Sequence, residues 1–543
     1  MTEETTETSL TQRAAGSTDR TRWFALALII SAQFMVVLDV AIVNVALPSI
    51  RTDLHFSQES LQWVITAYAI FFGGFLLLGG RLADLLGRRR LFVAGLVLFT
   101  VMSLLDGLAW SEGSLIVFRA LQGLGAAMLS PAALSILTTT FTEGRERNRA
   151  LGIWGAASGS GGAAGVLLGG ALTSGLSWSW IFFINVPVGA LVIGLTPFLL
   201  RESRAELQYR HFDFSGAASI TGGLMLLVYG MTRAAQHGWA TGETVGLLGG
   251  AAALIVTFFV IESRSHAPLL PLKIFRLRTL TASNVAGLLM GGALFAQFFL
   301  LTLYMQEVLH YSALKTGVAY IGLTLTTIAF SAVAQALVTR VGVRPILPLG
   351  LALSTVALVL FPRLPVHGHY LTDLFPAFLI SGLGLALAFI PMSIGALTGV
   401  RPAEAGVASG LINTTQQIGG AVGVAIATTI ATSFTSRYVD AHAGSNAFSG
   451  PALTHGFQIA FYVLAALAAA GALISVLMLE SRPAQPELQL TSEGVRTGGS
   501  MTVTMIKRRR DDLTTLHLTG LVHDMGERAW SAAKPTQPKG DPP

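Results

Sequence analysis

A carboxylate lies inside the first long apolar segment of the chain. Asp39 falls within Leu38–Pro48, and Arg119 lies in a later apolar segment with Gln122 three residues after it. An ionised side chain at the centre of a membrane helix costs about 2.5–3.5 kcal/mol, so Asp39 should face a cavity or a partner. Arginine stays charged in proteins, and Gln122 shares the helix face of Arg119. We therefore predict that Asp39, Arg119 and Gln122 form a polar path that binds and releases protons.

Each of these residues also has a purely structural interpretation. Asp39 could brace a helix break or a neighbouring helix through hydrogen bonds. Arg119 could extend from a helix end to the membrane interface. The small residues of Gly123–Ala127 favour close packing inside a helix bundle, which supports the functional interpretation of Arg119.

The fifth apolar segment contains an unusual number of glycines. Gly161, Gly165 and Gly169 are spaced by four residues, and Gly170 follows directly. This spacing lets two helix backbones approach closely. The pattern fits static packing of helices, and it fits equally well a moving contact between two halves of a transport protein. The sequence does not decide between these two interpretations.

The polar link Gly80–Arg90 combines a turn, an acid and a basic cluster. We predict a gate on the cytoplasmic side, formed by Gly80, Asp84, Gly87 and Arg88, in which Asp84 pairs with a basic residue or a helix N-terminus of the other half. A simple positively charged membrane anchor is the alternative. Leu337–Arg344 repeats the Leu, Gly and Arg positions of this link, which indicates a duplicated chain of the kind found in secondary transporters.

Long apolar stretches separated by short polar links dominate the chain. Hydrophobic residues make up 52% of the sequence and charged residues only 12%, where soluble proteins carry roughly 25% charge. A stretch of about 20 apolar residues crosses a bilayer as a helix. We predict an all-α polytopic membrane protein with fourteen spans: 23–47, 59–80, 91–110, 114–138, 149–173, 179–200, 214–233, 243–262, 281–306, 315–339, 345–362, 372–399, 405–432 and 456–479.

Basic residues are distributed unequally between the two sets of links. Most lie on the side of the N-terminus, and the opposite links carry only Arg51, Arg233, Lys315, Arg363 and Arg437. Because Lys and Arg concentrate in cytoplasmic loops, both termini are predicted to be cytoplasmic.

The spans and the repeat suggest a domain organisation. We predict a short cytoplasmic segment (1–22), a six-helix half (23–200), two inserted helices (214–262), a second six-helix half (281–480) and a flexible cytoplasmic tail (481–543). The tail is rich in Pro, Gly, Ser and charge, and such a composition does not support a packed core. Its basic run, Lys507–Arg510, could touch anionic lipid headgroups, although a solvated tail is the simpler interpretation.

Several kinds of chemistry have no sequence support. The chain has no cysteine, which excludes thiolate metal sites and cysteine nucleophiles. It also lacks a Walker-type phosphate loop, a Gly-x-Ser-x-Gly elbow and a His-Glu-x-x-His motif. We expect no enzyme activity, no metal, no cofactor and no nucleic-acid partner. The expected partners are protons, lipid and a small hydrophobic or cationic molecule, and we expect a monomer.

Polar and aromatic residues within the spans are candidates for the substrate site. Carriers built from repeats bind substrate near the bilayer midplane, and a few amides among apolar groups suit bulky hydrophobic ligands. The candidates are Gln33, Asn44, Tyr68, Gln297, Tyr304, Asn413 and Gln416.

Several of these segments resemble a known family. Gly80–Arg90 is similar to the loop signature of the major facilitator superfamily, Arg119–Ala127 to its helix-4 signature, and Leu38–Pro48 to the helix-1 signature of its fourteen-helix drug/proton antiporters. Trp180–Gly189 and Gly406–Gly420 also resemble that branch. The glycines from Gly161 to Gly170 resemble the helix-5 antiporter signature, with Val166 where the family usually has proline.

The resemblance implies a fold and a function. The fold would be two six-helix halves with two inserted helices, in a bacterial cytoplasmic membrane. The function would be export of hydrophobic drugs or antibiotics, driven by the proton-motive force and conferring resistance. Alternatives are dedicated export of one endogenous product, such as an antibiotic, lipid or siderophore, and a membrane sensor or scaffold.

Overall fold

The computed structural model contains fourteen helices long and apolar enough to cross a membrane. It describes residues 3–56, 58–61, 63–141, 144–203, 213–265, 268–442, 446, 449–479, 501–509 and 512–520. The spans are α1 (Thr21–Asp53), α2 (Trp63–Leu86), α3 (Arg88–Gly107), α4 (Glu112–Thr140), α5 (Arg145–Gly175), α6 (Trp180–Leu199), α7 (Phe214–Ala234), α8 (Gly242–Arg264), α9 (Arg278–Val308), α10 (Leu314–Val341), α11 (Val343–Arg363), α12 (Tyr370–Ala396), α13 (Ala405–Ala441) and α14 (Gly450–Met478).

Each predicted span corresponds to one of these helices, which confirms the predicted fold class. Most of the helices are longer than the apolar stretches that predicted them. The α1 span ends at Asp53 rather than 47 and α13 ends at Ala441 rather than 432, because polar residues beyond the hydrocarbon layer continue the backbone hydrogen bonding. On its other side, α1 continues a helix that begins at Glu3.

Irregular turns interrupt some spans without dividing them. The α6 span consists of Trp180–Phe183 and Asn185–Leu199. In the second half, α9 ends in a π-helical turn at Tyr304–Val308, and α12 begins with another at Tyr370–Leu374. Short helices outside the spans cover Gln58–Leu61, Leu272–Arg276 and Pro402–Glu404.

Glycine makes the same sharp turn in both copies of the repeated link. Gly87 has a φ of 110° between α2 and α3, and Gly342 has a φ of 84° between α10 and α11. Both values lie in a region that side chains other than glycine rarely adopt. The conserved position of glycine in the two links thus has a backbone reason. We call the membrane side that holds these two turns the basic side.

The inserted helices pack at the junction of the two halves. Helices α7 and α8 pair with each other, and α7 also packs against α2 of the first half and α13 of the second. Trp239, in the link between α7 and α8, donates a 2.8 Å hydrogen bond from Nε1 to Thr429 Oγ1 of α13. The inserted pair therefore contacts both halves.

The chain divides into two units, Met1–Glu480 and a second unit, Ser481–Pro543. Within it, β1 (Met501–Arg509) and β2 (Asp512–Gly520) form an antiparallel hairpin in which Arg509 pairs with Asp512. The prediction of a flexible tail used the overall composition of residues 481–543. That composition does not reveal the β-branched residues of these two short segments. Of the basic run, Lys507–Arg509 belongs to β1 and Arg510 lies outside the described residues, as do 481–500 and 521–543.

Candidate functional site

A buried ion pair joins α1 and α4 in the first half. Arg119 Nη1 lies 2.7 Å from Asp39 Oδ2, and both side chains are almost completely excluded from the surface. Arg119 also donates from Nε to the carbonyl of Val64 on α2, at 3.1 Å. The guanidinium stands 4.3 Å from the centre of the Tyr68 ring, a cation–π arrangement.

Two amides complete the shell around Asp39. Gln122 donates from Nε2 to Asp39 Oδ1 at 3.0 Å, and its Oε1 accepts a short hydrogen bond from Arg119. Asn185, the first residue after the interruption in α6, donates to the same Asp39 oxygen at 3.0 Å. The predicted trio of Asp39, Arg119 and Gln122 is therefore brought together, although its role in proton coupling stays a prediction.

This arrangement has a clear electrostatic consequence. One carboxylate and one guanidinium balance in charge, and Asp39 accepts hydrogen bonds from Arg119, Gln122 and Asn185. Breaking a buried pair by removing one charge is strongly unfavourable, by about 3–5 kcal/mol. Protonation of Asp39 would remove its charge and weaken the hold on Arg119, so the pair can couple a proton to a rearrangement of α1 and α4.

The sequence interpretation missed three members of this cluster. Asn185 lies in the Trp180–Gly189 segment but was not predicted to be a site residue. It also donates a 3.0 Å hydrogen bond to Ser103 of α3, which was not predicted either. Asp106, one turn after Ser103, is fully buried, and neither carboxylate oxygen has a hydrogen-bond partner among the described residues. The position of Asp106 inside an apolar segment is a sequence feature that could have identified it as a member of this cluster.

The predicted gate joins the two halves at the basic side. Asp84, in the last turn of α2, accepts hydrogen bonds from the backbone N–H groups of Gly406 and Val407, each at 3.2 Å. These groups belong to the first turn of α13, where a helix favours a negative charge. Arg88 donates to Asp84 Oδ1 from Nη2 at 2.9 Å. The pairing of Asp84 with a basic residue and with a helix N-terminus of the other half is thus present.

Glycines make this junction close. A Cβ on Gly80 would meet the carbonyl oxygen of Gly406 at a distance that real Cβ atoms essentially never show. Gly410, one turn further along α13, packs against the backbone of Leu76 and Gly80. Gly87 supplies the turn that places Arg88 at the start of α3. All four predicted gate residues therefore lie at or beside the contact between α2 and α13.

A second seam closes the basic side between α5 and the second half. Arg147 donates from Nη2 to the carbonyl of Leu397 at 3.0 Å, and Asn148 donates to Thr339 Oγ1 at 3.1 Å. Nearby, outside the spans, the hydrogen bond from Arg401 to Glu404 raises the pKa of the Arg401 guanidinium. In this conformation, the two halves are therefore in contact at both places, through α2 and α13 and through α5 and the second half.

The helix-5 glycines face α1 of the same half. A Cβ on Gly161, Gly165 or Gly169 would crowd α1 at Val37, Leu38 or Ile42 respectively. Gly170 follows and is buried. Helix α5 reaches the second half through other glycines: Gly155 packs on Ile390 of α12 and Gly152 on Gln335 of α10. The predicted glycines therefore serve close packing within one half, whereas other positions of α5, including Leu167 against Gly317 of α10, contact the second half.

Two substrate candidates, Gln33 and Asn413, meet at the junction of the halves, and a third, Gln416, follows one turn later on the same helix as Asn413. Ser130 of α4 donates to Gln33 Oε1 of α1 at 2.9 Å and lies 3.4 Å from Asn413 Oδ1 of α13. Gln416, one turn after Asn413, faces the Met392 sulfur of α12 at 4.0 Å. Amides from both halves therefore meet at Ser130, which was not among the predicted site residues.

The other four candidates lie elsewhere. Asn44 is exposed and bonds to the carbonyl of Val40 on its own helix, and Tyr68 belongs to the ion cluster. Gln297 is buried within the second half, where it donates to Ser381 Oγ at 2.8 Å beside a small cavity. Tyr304 donates to the carbonyl of Pro365 at 2.6 Å, near the side opposite the basic side. Asn44, Gln297 and Tyr304 therefore use their polar atoms in hydrogen bonds within the protein in this conformation.

Comparison with known families agrees with this architecture. The family model described as Major Facilitator Superfamily matches residues 29–424. The chain belongs to the major facilitator superfamily. The structure of the human organic anion transporter MFSD10 (TETRAN), another transporter of similar fold, has a TM-score of 0.58 at 15% identity, over 84% of this chain and 98% of that one.

Among sequence relatives of this major facilitator chain are resistance and export proteins of bacteria. It is 38% identical to the puromycin resistance protein pur8 of Streptomyces alboniger, over 86% of this chain and 92% of that protein. It is 42% identical to the cephamycin export protein CmcT of Amycolatopsis lactamdurans, over 74% and 83%. The multidrug resistance protein Stp of Mycobacterium tuberculosis is 34% identical over 72% of each chain. The predicted family is confirmed.

Proposed function

We propose that this chain is a proton-driven efflux transporter that exports small hydrophobic or cationic compounds, including antibiotics, and so confers resistance. It would work in the bacterial cytoplasmic membrane with both termini in the cytoplasm. The basic side, with Arg88 and its neighbours, would then face the cytoplasm because basic residues are retained there.

The ion pair of Asp39 and Arg119 is the observation that carries this proposal. A carboxylate at this depth is costly and needs a reason to be kept. Asp39 is paired with a cation that keeps its charge and is held by two amides. A proton arriving at Asp39 would release Arg119 and the hydrogen bonds around it, which couples proton binding to movement of α1 against α4.

The gate supports an alternating cycle. In this conformation Asp84 binds the N-terminus of α13, and Arg147 and Asn148 bind the second half across α5. If the basic side is cytoplasmic, this conformation is closed toward the cytoplasm. Opening would break a small number of polar contacts, which is within the range that a ligand or a proton can bias.

The proposed substrate class follows from the junction between the halves. Gln33, Ser130, Asn413 and Gln416 supply neutral donors and acceptors, and no charged side chain takes part in their described hydrogen bonds. Such a surface suits apolar compounds oriented by a few hydrogen bonds. The names of the resistance and export relatives point to the same class.

Everted membrane vesicles test this function directly. Respiration acidifies their interior, and a proton-coupled exporter should dissipate that gradient when ethidium or puromycin is added. We expect dissipation with the wild-type protein and none with vesicles that lack it. Protection of a pump-deficient host that is lost with a protonophore should accompany it. Protection that persists without a proton gradient would contradict proton coupling.

Dedicated export of one compound is the second candidate. It is favoured by the cephamycin export protein, a relative named for a single antibiotic class. A susceptibility panel of dyes, cationic biocides and antibiotics separates the two candidates. Protection against several unrelated compounds indicates multidrug export, and protection against one indicates a dedicated exporter.

A further inference from the structure

The ion cluster contains a second carboxylate that the ion pair does not account for. Asp106 lies in the last turn of α3 and is fully buried. It interacts electrostatically with Arg119 and with Asp39. Within the described part of the chain, both of its carboxylate oxygens lack a hydrogen-bond partner. Two acids thus share the surroundings of one guanidinium.

A charge count distinguishes the two acids. Arg119 is in direct contact with Asp39, and Gln122 and Asn185 donate to the same carboxylate. No such donors reach Asp106. A buried anion without a partner is strongly unfavourable, and a neutral carboxyl group is much less so. In this conformation, Asp39 fits the ionised state and Asp106 fits the protonated state.

Among the described residues, the groups around Asp106 offer no compensating charge besides Arg119. Helix α4, which packs closely against α3, presents Arg119. The single acidic residue of α4, Glu112, is partly exposed in its first turn. From α2 the facing ionisable group is Tyr68, whose hydroxyl is buried without a partner in the described structure. The α6 segment carries no ionisable residue. Asp39, on α1, is the remaining titratable group of the cluster.

Asp106 is also close to one end of its membrane-spanning helix. It lies one residue before the end of α3, on the side opposite the basic side, and Leu108 and Trp110 that follow are exposed. Ser103, one turn earlier, bonds to Asn185, which donates to Asp39. Asp106 thus stands between the surface and the hydrogen-bond network of the ion pair.

We propose that Asp106 is a second proton-binding carboxylate of the transport cycle, which exchanges its proton with the side opposite the basic side and, once ionised, competes with Asp39 for Arg119. The O–H bond of Asp106 breaks, its proton leaves to water, and the resulting anion becomes an alternative partner for a guanidinium that keeps its charge. This assignment rests on the proposed function, because it adds a proton to the same coupled cycle.

An infrared titration of the purified protein tests the protonation state without a substrate. A protonated buried carboxyl should give a carbonyl stretching band at neutral pH. This band should disappear in Asp106→Asn and shift in Asp106→Glu, which keeps the acid if the amide variant does not fold. The band should weaken in Asp39→Asn, because Arg119 then lacks its first anionic partner and favours ionised Asp106. The control Asp440→Asn, an exposed acid on the same side, should leave it unchanged. A band unchanged in Asp106→Glu would overturn the proposal.

Proton release on ethidium binding separates this proposal from the function it rests on. In weakly buffered detergent solution, we expect the wild-type protein to release protons on binding and Asp106→Asn to bind ethidium with about one proton fewer. The pH dependence of transport in Asp106→Asn should change accordingly. Equal proton release and an unchanged pH profile would overturn the role of Asp106 alone. A wild-type protein whose transport ignores the proton gradient would overturn the proposed function itself.

Discussion

The carboxylate of Asp84 accepts a hydrogen bond from the backbone N–H of Gly406, at 3.2 Å, and so joins the last turn of α2 to the first turn of α13. These two residues are 322 positions apart in the chain and belong to opposite halves. The contact combines a negative side chain with the positive end of a helix. Its strength should control how readily the basic side opens.

We expect Asp84→Asn to shift the equilibrium toward a conformation open at the basic side. Hydrogen bonds to a charged group contribute about 1.5–3 kcal/mol, and an amide oxygen retains only part of this. The ratio of the closed to the open population should therefore fall roughly tenfold, since 1.4 kcal/mol corresponds to that factor in an equilibrium constant. Substrate binding should change little, because Asp84 binds the first turn of α13, two turns before Asn413, and has no described hydrogen bond with Asn413 or Gln33.

Distances between spin labels across the α5–α10 seam measure this shift. The chain has no cysteine, so Glu146→Cys and Val341→Cys, both exposed at the basic side, label cleanly. Asp84→Asn should add a longer distance that Asp440→Asn does not. A distance distribution identical to that of the labelled wild-type background would count against the gate.

A methyl group at Gly80 should separate the two halves at the same place. The Cβ of Gly80→Ala would overlap the carbonyl oxygen of Gly406, and neither backbone can yield without moving its helix. Overpacking of this kind costs about 1–3 kcal/mol. We expect a larger opening than with Asp84→Asn, measured with the same labels. Gly113→Ala is the control, because a Cβ there has open space, and an equal effect of both changes would contradict this packing.

The helix-5 glycines should affect the ion pair rather than the gate. A Cβ on Gly165 would approach the carbonyl of Leu38 at 2.8 Å, next to Asp39. Gly165→Val should displace α1, lower thermal stability and impair proton-coupled transport together. On the same helix, Gly162→Val has open space for its Cβ and should retain both. Transport by Gly165→Val equal to that of Gly162→Val would show that the close contact is dispensable.

Substrate preference should depend on the amides at the junction. Gln33→Ala and Asn413→Ala each remove a neutral polar group near Ser130, so we expect the KM for transported compounds to rise several-fold in a compound-dependent way. Gln297→Ala is the matched control, since Gln297 bonds to Ser381 inside the second half. It should lower stability with KM unchanged. If the KM responded to Gln297 and not to Asn413, the substrate site would lie inside the second half.

The sequence predicted the fourteen helices because the length of each apolar segment can be read directly from the sequence. It also predicted Asp39, Arg119 and Gln122, since an ionisable residue in an apolar helix demands a partner. It did not predict Asn185 or Ser103 as members of the cluster, because a neutral polar residue in a helix carries no comparable cost. Such residues are identified only when the helices are packed.

Most differences between the sequence predictions and the structure concern which neighbour a given helix face contacts. The glycines of α5 share a four-residue spacing, yet Gly165 meets α1 while Gly155 meets α12 of the other half. Tyr304 lies on a predicted span like the other candidates, but its hydroxyl is bonded to Pro365 near one end. Spacing defines a face, whereas the neighbour of that face depends on tertiary packing.

Asp39 is proposed to couple proton movement to transport. Reconstituted Asp39→Asn should still exchange ethidium between compartments without a gradient, because substrate contacts remain. It should fail to concentrate ethidium in response to a pH gradient, while Asp53→Asn, at the end of the same helix and bonded to Trp178, should behave as the wild type. Gradient-driven accumulation by Asp39→Asn at the wild-type rate would contradict the account.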